Sequence, residues 1–118
     1  MKFEKLTAKE YMFMEIVWSN EPIESGKLVD LCIEELNWKK STTYTVLKNI
    51  QKKGIVINEN SIVRSQFNQE EYKRELGAMY LNTNYNGSLP SFIASFSKGG
   101  KVSKEDLDEI KRIIEDME

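Results

Sequence analysis

The fold is decided by the segment that spans residues 38–54 and reads WKKSTTYTVLKNIQKKG. A stripe of mainly apolar side chains recurs in it at the spacing of one helical face: Thr43, Val46, Leu47 and Ile50. Glycine commonly follows the end of a helix, so Gly54 indicates a helix over about residues 40–53. The opposite face carries hydroxyl, amide and lysine side chains: Ser41, Thr42, Tyr44, Thr45, Lys48, Asn49 and Lys52. We therefore expect one face of this helix in the core and the other in solvent.

The same segment carries a local excess of positive charge. Between Asn37 and Asn58 there are five lysines and no acidic residue, whereas the whole chain has a formal net charge of −2. The five are Lys39, Lys40, Lys48, Lys52 and Lys53. The net charge excludes a uniformly basic coat, but a basic island on one element is what a local contact with nucleic-acid phosphates requires. The acidic excess lies instead in residues 69–118, with seven basic and ten acidic residues.

Composition excludes several classes of site. The 118-residue chain has no histidine and a single cysteine, Cys32. Catalytic triads with histidine, histidine metal sites, internal disulfides and Cys-x-x-Cys zinc sites are therefore excluded. The chain also lacks the G-x-S-x-G, P-loop and G-x-G-x-x-G motifs, so we expect a non-enzymatic protein without metal or cofactor. Cys32 falls in an apolar stripe and is interpreted as a buried small hydrophobe, with a reactive thiol as the alternative.

The sequence gives no indication of a membrane segment. No apolar run approaches the roughly 18 residues that a membrane-spanning helix needs. The first residues, MKFEKLTAKEY, lack the continuous apolar core of a signal peptide. We therefore expect a cytoplasmic protein that does not insert into a membrane.

Two helices are predicted before residues 38–54, the central segment. Thr7 and Glu10 have the spacing of a capping box, which begins a helix over about residues 8–19. Pro22 and the residues before it end that helix. Ser25 is the predicted N-cap of the second helix, whose apolar stripe is Leu28, Leu31, Cys32 and Leu36.

A short β-hairpin is predicted after the central segment. Residues 55–57 and 62–67 are rich in β-branched side chains, and residues 58–61 form the turn between them. Three helices followed by a hairpin is the order of a winged helix, whose third helix enters the major groove of DNA. Hydroxyl groups can bond phosphates or base edges, and lysines can bind phosphates. The predicted DNA-binding residues are Lys39, Lys40, Ser41, Thr42, Tyr44, Thr45, Lys48, Lys52 and Arg64. The alternative is a winged-helix adaptor that contacts only proteins.

The rest of the chain predicts a helical arm. Asn68 begins a helix over about residues 69–81, a short apolar helix follows, and Ser103 begins the last helix. A tail of this length cannot bury two apolar stripes on itself, so we expect a second copy of the chain to cover them. The predicted dimerisation residues are Phe92, Ile93, Phe96, Leu107, Ile110, Ile114 and Met117. The expected architecture is mainly α with a small β-hairpin: a winged-helix DNA-binding domain over residues 1–68 and a dimerisation arm over residues 69–118.

Three blocks of sequence resemble the penicillinase-repressor family. The block from Leu6 to Glu10, with Met14 and Trp18, is similar to the family's opening pattern L-T-x-x-E…M…W. The central segment resembles its pattern W-x-x-x-T-x-x-T-x-L…K-G, and residues 103–113 resemble its last helix. The resemblance implies a dimeric winged-helix transcriptional repressor that binds palindromic operators of resistance genes.

The resemblance also implies roles for individual residues. The family's two DNA-contacting threonines correspond to Thr42 and Thr45, and a basic or polar residue between them corresponds to Tyr44. Asn49 stands where the family often has arginine, which removes one expected phosphate contact.

Branches of this family differ in how DNA is released. In the β-lactam branch, a membrane sensor-protease pathway leads to cleavage of an Asn-Phe bond in the arm. The corresponding pair here is Ser95 and Phe96, so the residue before the bond differs. The copper branch uses Cys-x-Cys motifs in the tail, and residues 69–118 contain no cysteine, so copper sensing of that kind is not expected. The operator, the regulated genes and the inducing signal stay open.

Overall fold

A computed structural model of the chain describes residues 4–118. Within that range it contains six helices and three short strands. These are α1 (Ala8–Asn20), β1 (Ile23–Glu24), α2 (Ser25–Leu36), α3 (Lys40–Lys52), β2 (Val56–Glu59), β3 (Ile62–Ser65), α4 (Gln69–Tyr85), α5 (Leu89–Lys98) and α6 (Lys104–Met117). The predicted fold class is confirmed, because helices dominate and the three-helix-and-hairpin order of a winged helix is present. The chain forms two compact units, one ending at Leu76 and the other comprising Gly77–Glu118.

The sheet has three antiparallel strands in the order β1-β3-β2. The predicted hairpin is present, but its turn is shorter than expected, because Asn58 and Glu59 belong to β2. The two turn residues, Asn60 and Ser61, have φ angles of 53° and 63°. Positive φ at both central positions matches the twist of the flanking strands. The strand β1 was not predicted, since two residues carry no alternating pattern, and its pairing of Ile23 with Val63 is a long-range contact.

The core of the first unit draws side chains from α1, α2, α3, the hairpin and the start of α4. Its fully buried members include Phe13, Met14, Val17, Leu28, Cys32, Ile50, Ile55, Val63 and Tyr72. Cys32 is buried as interpreted from its stripe. Burial raises the pKa of the Cys32 thiol more than a hydrogen bond with Thr43 lowers it, so the thiol stays protonated and unreactive near neutral pH.

The start of α1 is fixed by the predicted capping box. The Glu10 amide donates to Thr7 Oγ1 over 3.2 Å, and the Thr7 amide donates to Glu10 Oε1 over 2.8 Å. The expected cap of α2 is wrong: Ser25 is the first helical residue, and Glu24 occupies the N-cap position without a side-chain hydrogen bond. Ser25 is instead buried, and its amide donates to Ser61 of the hairpin turn.

The first two turns of α4 belong to the first unit. Tyr72 is buried, and its hydroxyl accepts a hydrogen bond from the Leu6 amide over 2.9 Å. Its ring packs against Tyr11 and Trp18, with centroids 5.9 and 5.8 Å away. The Trp18 indole also donates to the carbonyl of Phe67 over 2.8 Å. These contacts attach the beginning of the arm to α1.

The second unit is small and has no fully buried side chain in Gly77–Glu118. Ser88 and Ser103 cap α5 and α6 by accepting from the amides of Ser91 and Asp106. The ring of Phe92 packs edge-to-face against Tyr80, Tyr85 and Phe96, with centroids 5.3–6.0 Å apart. Residues 4–118 contain no helix of the length and apolarity needed to cross a membrane.

Candidate nucleic-acid interface

The helix α3 has the two-faced character that the sequence predicts. Thr43, Val46, Leu47 and Ile50 are buried against the core. The opposite face is open to solvent, with Thr42 half-buried at its edge. The exposed side chains along it are Lys39, Lys40, Ser41, Tyr44, Thr45, Lys48, Asn49 and Lys52. Eight of the nine predicted DNA-binding residues therefore lie on one helix or at its N-cap.

One of the five lysines of the central segment does not join this face. The Lys53 ammonium pairs with Glu10 Oε1 at 2.5 Å and donates to the Lys5 carbonyl. Only 20% of its side chain is exposed. The other four lysines form no ion pair within residues 4–118. Their charge is therefore free to attract phosphates.

The beginning of α3 is held in place by Trp38. Its ring stacks on Phe13 at a centroid distance of 6.1 Å, and the Lys9 ammonium lies 5.2 Å from the ring centroid. Lys39 occupies the N-cap position, and no side chain caps the helix there. The first backbone amides of α3 are therefore not capped by a side chain. Together with the nearby Lys39 and Lys40, they make the start of the helix favourable for anions.

The hydroxyl groups on α3 differ in their hydrogen bonding. Thr45 Oγ1 donates its only hydrogen to the Ser41 carbonyl over 2.9 Å. Towards DNA, this oxygen can therefore only accept hydrogen bonds. Exocyclic amino groups of adenine and cytosine are such donors in the major groove. A shallow concavity beside Thr45 extends to the start of α1, and is lined by Thr7, Lys9, Glu10, Ser41, Thr42, Thr45, Val46 and Asn49.

The ninth predicted DNA-binding residue, Arg64, lies on β3. Its side chain is 51% exposed, and its guanidinium is 3.9 Å from the Glu59 carboxylate across the hairpin. Such an exposed pair is weak, so Arg64 can exchange this carboxylate for a phosphate at little cost.

Polar residues outside the predicted set also line this surface. Lys9, Gln51 and Asn58 border the concavities beside α3. Lys9 and Asn58 were missed because they lie on α1 and β2, and no spacing in the sequence brings them beside α3.

The predicted dimerisation residues lie on α5 and α6 of the second unit. Five of them line one apolar cleft of about 340 Å³: Phe92, Ile93, Phe96, Leu107 and Ile110. Ile114 and Met117 lie further along α6 and are exposed, Met117 to 80%. Val102 and Ile113 line the same cleft and were missed by the sequence analysis.

The pair Ser95 and Phe96 lies inside α5. Ser95 Oγ accepts a hydrogen bond from the Tyr85 hydroxyl over 3.3 Å, and Phe96 packs on Phe92. Both residues are exposed on their outer side. The bond between them is part of a helical backbone, so a protease would have to unwind this turn to reach it.

Comparison with known proteins finds a matching family and similar relatives. The sequence pattern of the family described as penicillinase repressor matches residues 6–116. The penicillinase repressor of Bacillus licheniformis is 22% identical over 119 residues, which cover 98% of this chain and 93% of that protein. An uncharacterized 16.5 kDa protein in the ptsI 3' region of Latilactobacillus sakei is 32% identical over 95 residues, which cover 80% of this chain and 62% of that protein.

The family match covers the winged-helix unit and nearly all of the arm, so the resemblance seen in the sequence is confirmed. The chain therefore belongs to the penicillinase repressor family, a family of DNA-binding transcriptional repressors and not of enzymes.

Proposed function

We propose that the chain represses transcription as a homodimer that binds a palindromic operator, with α3 of each subunit in the major groove. The observation that carries this proposal is the exposed face of α3, where four lysines that form no ion pair within residues 4–118 accompany a row of hydroxyl groups. Phosphate attraction supplies most of the affinity of such a surface, and contacts with base edges supply sequence preference.

The DNA-binding residues have two kinds of role in this proposal. Lys39, Lys40, Lys48, Lys52 and Arg64 bind backbone phosphates. Ser41, Thr42, Tyr44 and Thr45 face the base edges and determine which operator is bound. The uncapped start of α3 adds a phosphate contact through its amides.

The apolar cleft of the second unit supports a dimer. A small unit without a fully buried side chain is poorly stabilised by its own contacts, and a second copy would cover Phe96, Leu107, Ile114 and Met117. We assign DNA binding to residues 1–68 and pairing to residues 69–118. Because pairing makes the second DNA contact intramolecular, it multiplies the affinity of each subunit.

The regulated genes are proposed from the relatives. The Bacillus licheniformis protein is named a penicillinase repressor, and we infer an operator of an antibiotic-resistance type for this chain. Release through a membrane sensor-protease pathway would require a protease that accepts Ser95 before Phe96. Cleavage there would cut α5 and remove α6 from the dimer, which releases DNA without any change in α3.

The experiment is a selection of bound duplexes from a random DNA pool at physiological salt, with the full-length protein. A palindromic consensus with half-sites one helical turn apart, or a multiple of that distance, is the expected result. Failure to enrich any sequence, together with binding that does not depend on salt, would favour the protein-binding adaptor instead.

A further inference from the structure

A second cleft lies beside α3, next to the hairpin strand β2. The helix packs against β2 there. The cleft is lined by Tyr44, Leu47, Lys48, Gln51, Lys52 and Asn58. Five of these six side chains are polar, none is acidic, and Lys48 and Lys52 are one helical turn apart on the same face. The cleft therefore concentrates positive charge at the joint between helix and hairpin.

Asn58 brings an incomplete hydrogen bond to this cleft. Its Oδ1 atom is buried and has no hydrogen-bond partner among residues 4–118. No other buried side-chain nitrogen or oxygen in that part of the chain lacks a partner. A buried acceptor without a donor destabilises the fold, and native proteins keep such groups rarely and for a reason. Four other side chains that line the cleft carry hydrogen-bond donors: Tyr44, Lys48, Gln51 and Lys52.

We propose that this cleft binds one phosphate of the DNA backbone and that Asn58 is a positioning residue for that contact. The inference rests on the proposed function and adds to it a site that joins the recognition helix to the hairpin. A phosphate oxygen only accepts hydrogen bonds and a lysine ammonium only donates them, whereas an amide does both. In the DNA-bound protein, Asn58 Oδ1 accepts from one lysine ammonium, while Asn58 Nδ2 donates to the phosphate.

The chemistry of the cleft fits a backbone phosphate better than a base edge. Its charged groups are lysines, which act as point charges and neutralise phosphates without reading sequence. Because Lys48 and Lys52 are one turn apart along α3, both can approach one phosphate of the strand that borders the groove. Contacts of this kind fix the position of the protein on the duplex and contribute equally to operator and random DNA.

The test compares three variants of the full-length protein: Asn58→Ala, Asn58→Asp and Asn60→Asp. The last is the matched control, because it adds the same charge to the same hairpin outside the cleft, at a left-handed position that suits both Asn and Asp. Dissociation constants are measured by fluorescence anisotropy on the selected operator and on a random duplex of equal length, over a range of salt concentrations. Thermal unfolding of the free proteins is followed in parallel.

The inference predicts a specific pattern. Asn58→Ala weakens binding to both duplexes by about fivefold, and Asn58→Asp by more than about tenfold with a salt slope smaller by about 0.9, the value of one phosphate contact. Asn60→Asp changes affinity by less than about threefold, because its charge is more distant and screened. The free Asn58→Ala protein unfolds at no lower temperature than the parent, since the variant removes the unsatisfied acceptor.

A double-mutant cycle adds a readout that a purely structural role would not change. In a protein that already carries Lys48→Gln and Lys52→Gln, Asn58→Ala should cost less than about twofold in affinity, because the site has been removed.

Several results would overturn the inference. Equal losses for Asn58→Asp and Asn60→Asp would mean that only the charge of the hairpin matters. A lower unfolding temperature of Asn58→Ala with unchanged DNA affinity would make Asn58 structural. If the parent protein bound neither duplex, the proposed function itself would fail, which differs from failure of the cleft alone, where the parent binds and the Asn58 variants match it.

Discussion

Thr45 and Lys48 lie on the exposed face of α3 and are expected to act differently on DNA. Thr45→Ala should weaken operator binding by about tenfold and random-DNA binding much less, because a lost base contact costs about 1–3 kcal/mol only at the matching base. Lys48→Ala should weaken both duplexes alike, since phosphates are the same in every sequence. Competition binding with operator and random duplexes measures both effects. Equal losses on the two duplexes for Thr45→Ala would remove its base-reading role.

Glu10 couples stability to pH. Burial of its carboxylate raises its pKa, but the hydrogen bond and charge of Lys53, together with the amide and hydroxyl of Thr7, outweigh burial and leave the pKa below the usual 4.5. A lowered pKa in the folded state means that Glu10 stabilises the protein above about pH 4.5, and that this stabilisation is lost as pH falls through the folded-state pKa.

Glu10→Gln isolates that effect, because glutamine also completes a capping box. Near pH 7 it should lower the free energy of unfolding by about 1–2 kcal/mol, a value reduced for the partial exposure of Lys53. The difference from the parent should shrink as pH falls below about 4.5 and through the lowered pKa of the folded state. Urea unfolding at several pH values measures this, with Glu15→Gln on the exposed side of α1 as control. A difference that does not change with pH would contradict the assignment.

Two single residues have contacts that the sequence could not predict. Five lysines lie within the central segment, yet the helical turn places Lys53 beside α1, where Glu10 neutralises it. Nothing in the local pattern distinguishes Lys53 from Lys52. Likewise, the incomplete hydrogen bonding of the buried Asn58 Oδ1 depends on tertiary packing, which no local pattern contains.

At the scale of elements, the sequence predicted those helices and strands that carry their own apolar periodicity or capping residue. The helix α3, the hairpin and the caps at Thr7 and Ser103 were predicted because spacing and hydrogen-bonding chemistry define them. The helix α4 extends to Tyr85, beyond its predicted end near residue 81, although asparagine and threonine favour turns. There Asn84 donates to the Tyr80 carbonyl, and Tyr85 packs on Phe92. Packing between helices therefore overrides the local preference.

In the proposed dimer, pairing depends on the apolar face of α6. Leu107 lines the cleft and is exposed in the single chain, so Leu107→Glu should leave the subunit folded while placing a charge in the interface. We expect the dimer dissociation constant to rise by at least about 100-fold, which corresponds to about 2.7 kcal/mol.

Sedimentation equilibrium over a range of protein concentrations measures that change. Lys104→Glu, at the first position of the same helix and outside the cleft, is the matched control and should leave the dimer intact. An unchanged dissociation constant for Leu107→Glu, with circular dichroism equal to that of the parent, would place the interface elsewhere.

At the scale of the whole molecule, we propose that the chain separates DNA binding from pairing. The first unit has a complete core and presents α3, while the second unit has apolar helix faces and little core of its own. Tyr72 packs the start of α4 into the core of the first unit. In the proposed dimer, affinity comes from two modest DNA contacts joined by pairing, and any event that separates the arms would release DNA.

The most direct test of this account is the affinity of the full-length protein for two duplexes at physiological salt: the palindromic operator, and the same operator with one half-site scrambled. Because two joined contacts multiply affinity, we predict that scrambling one half-site weakens binding by at least about 100-fold, with two subunits bound per intact operator. Equal affinity for the two duplexes, or one subunit per operator, would contradict the claim that two subunits, paired through their arms, each bind DNA with α3.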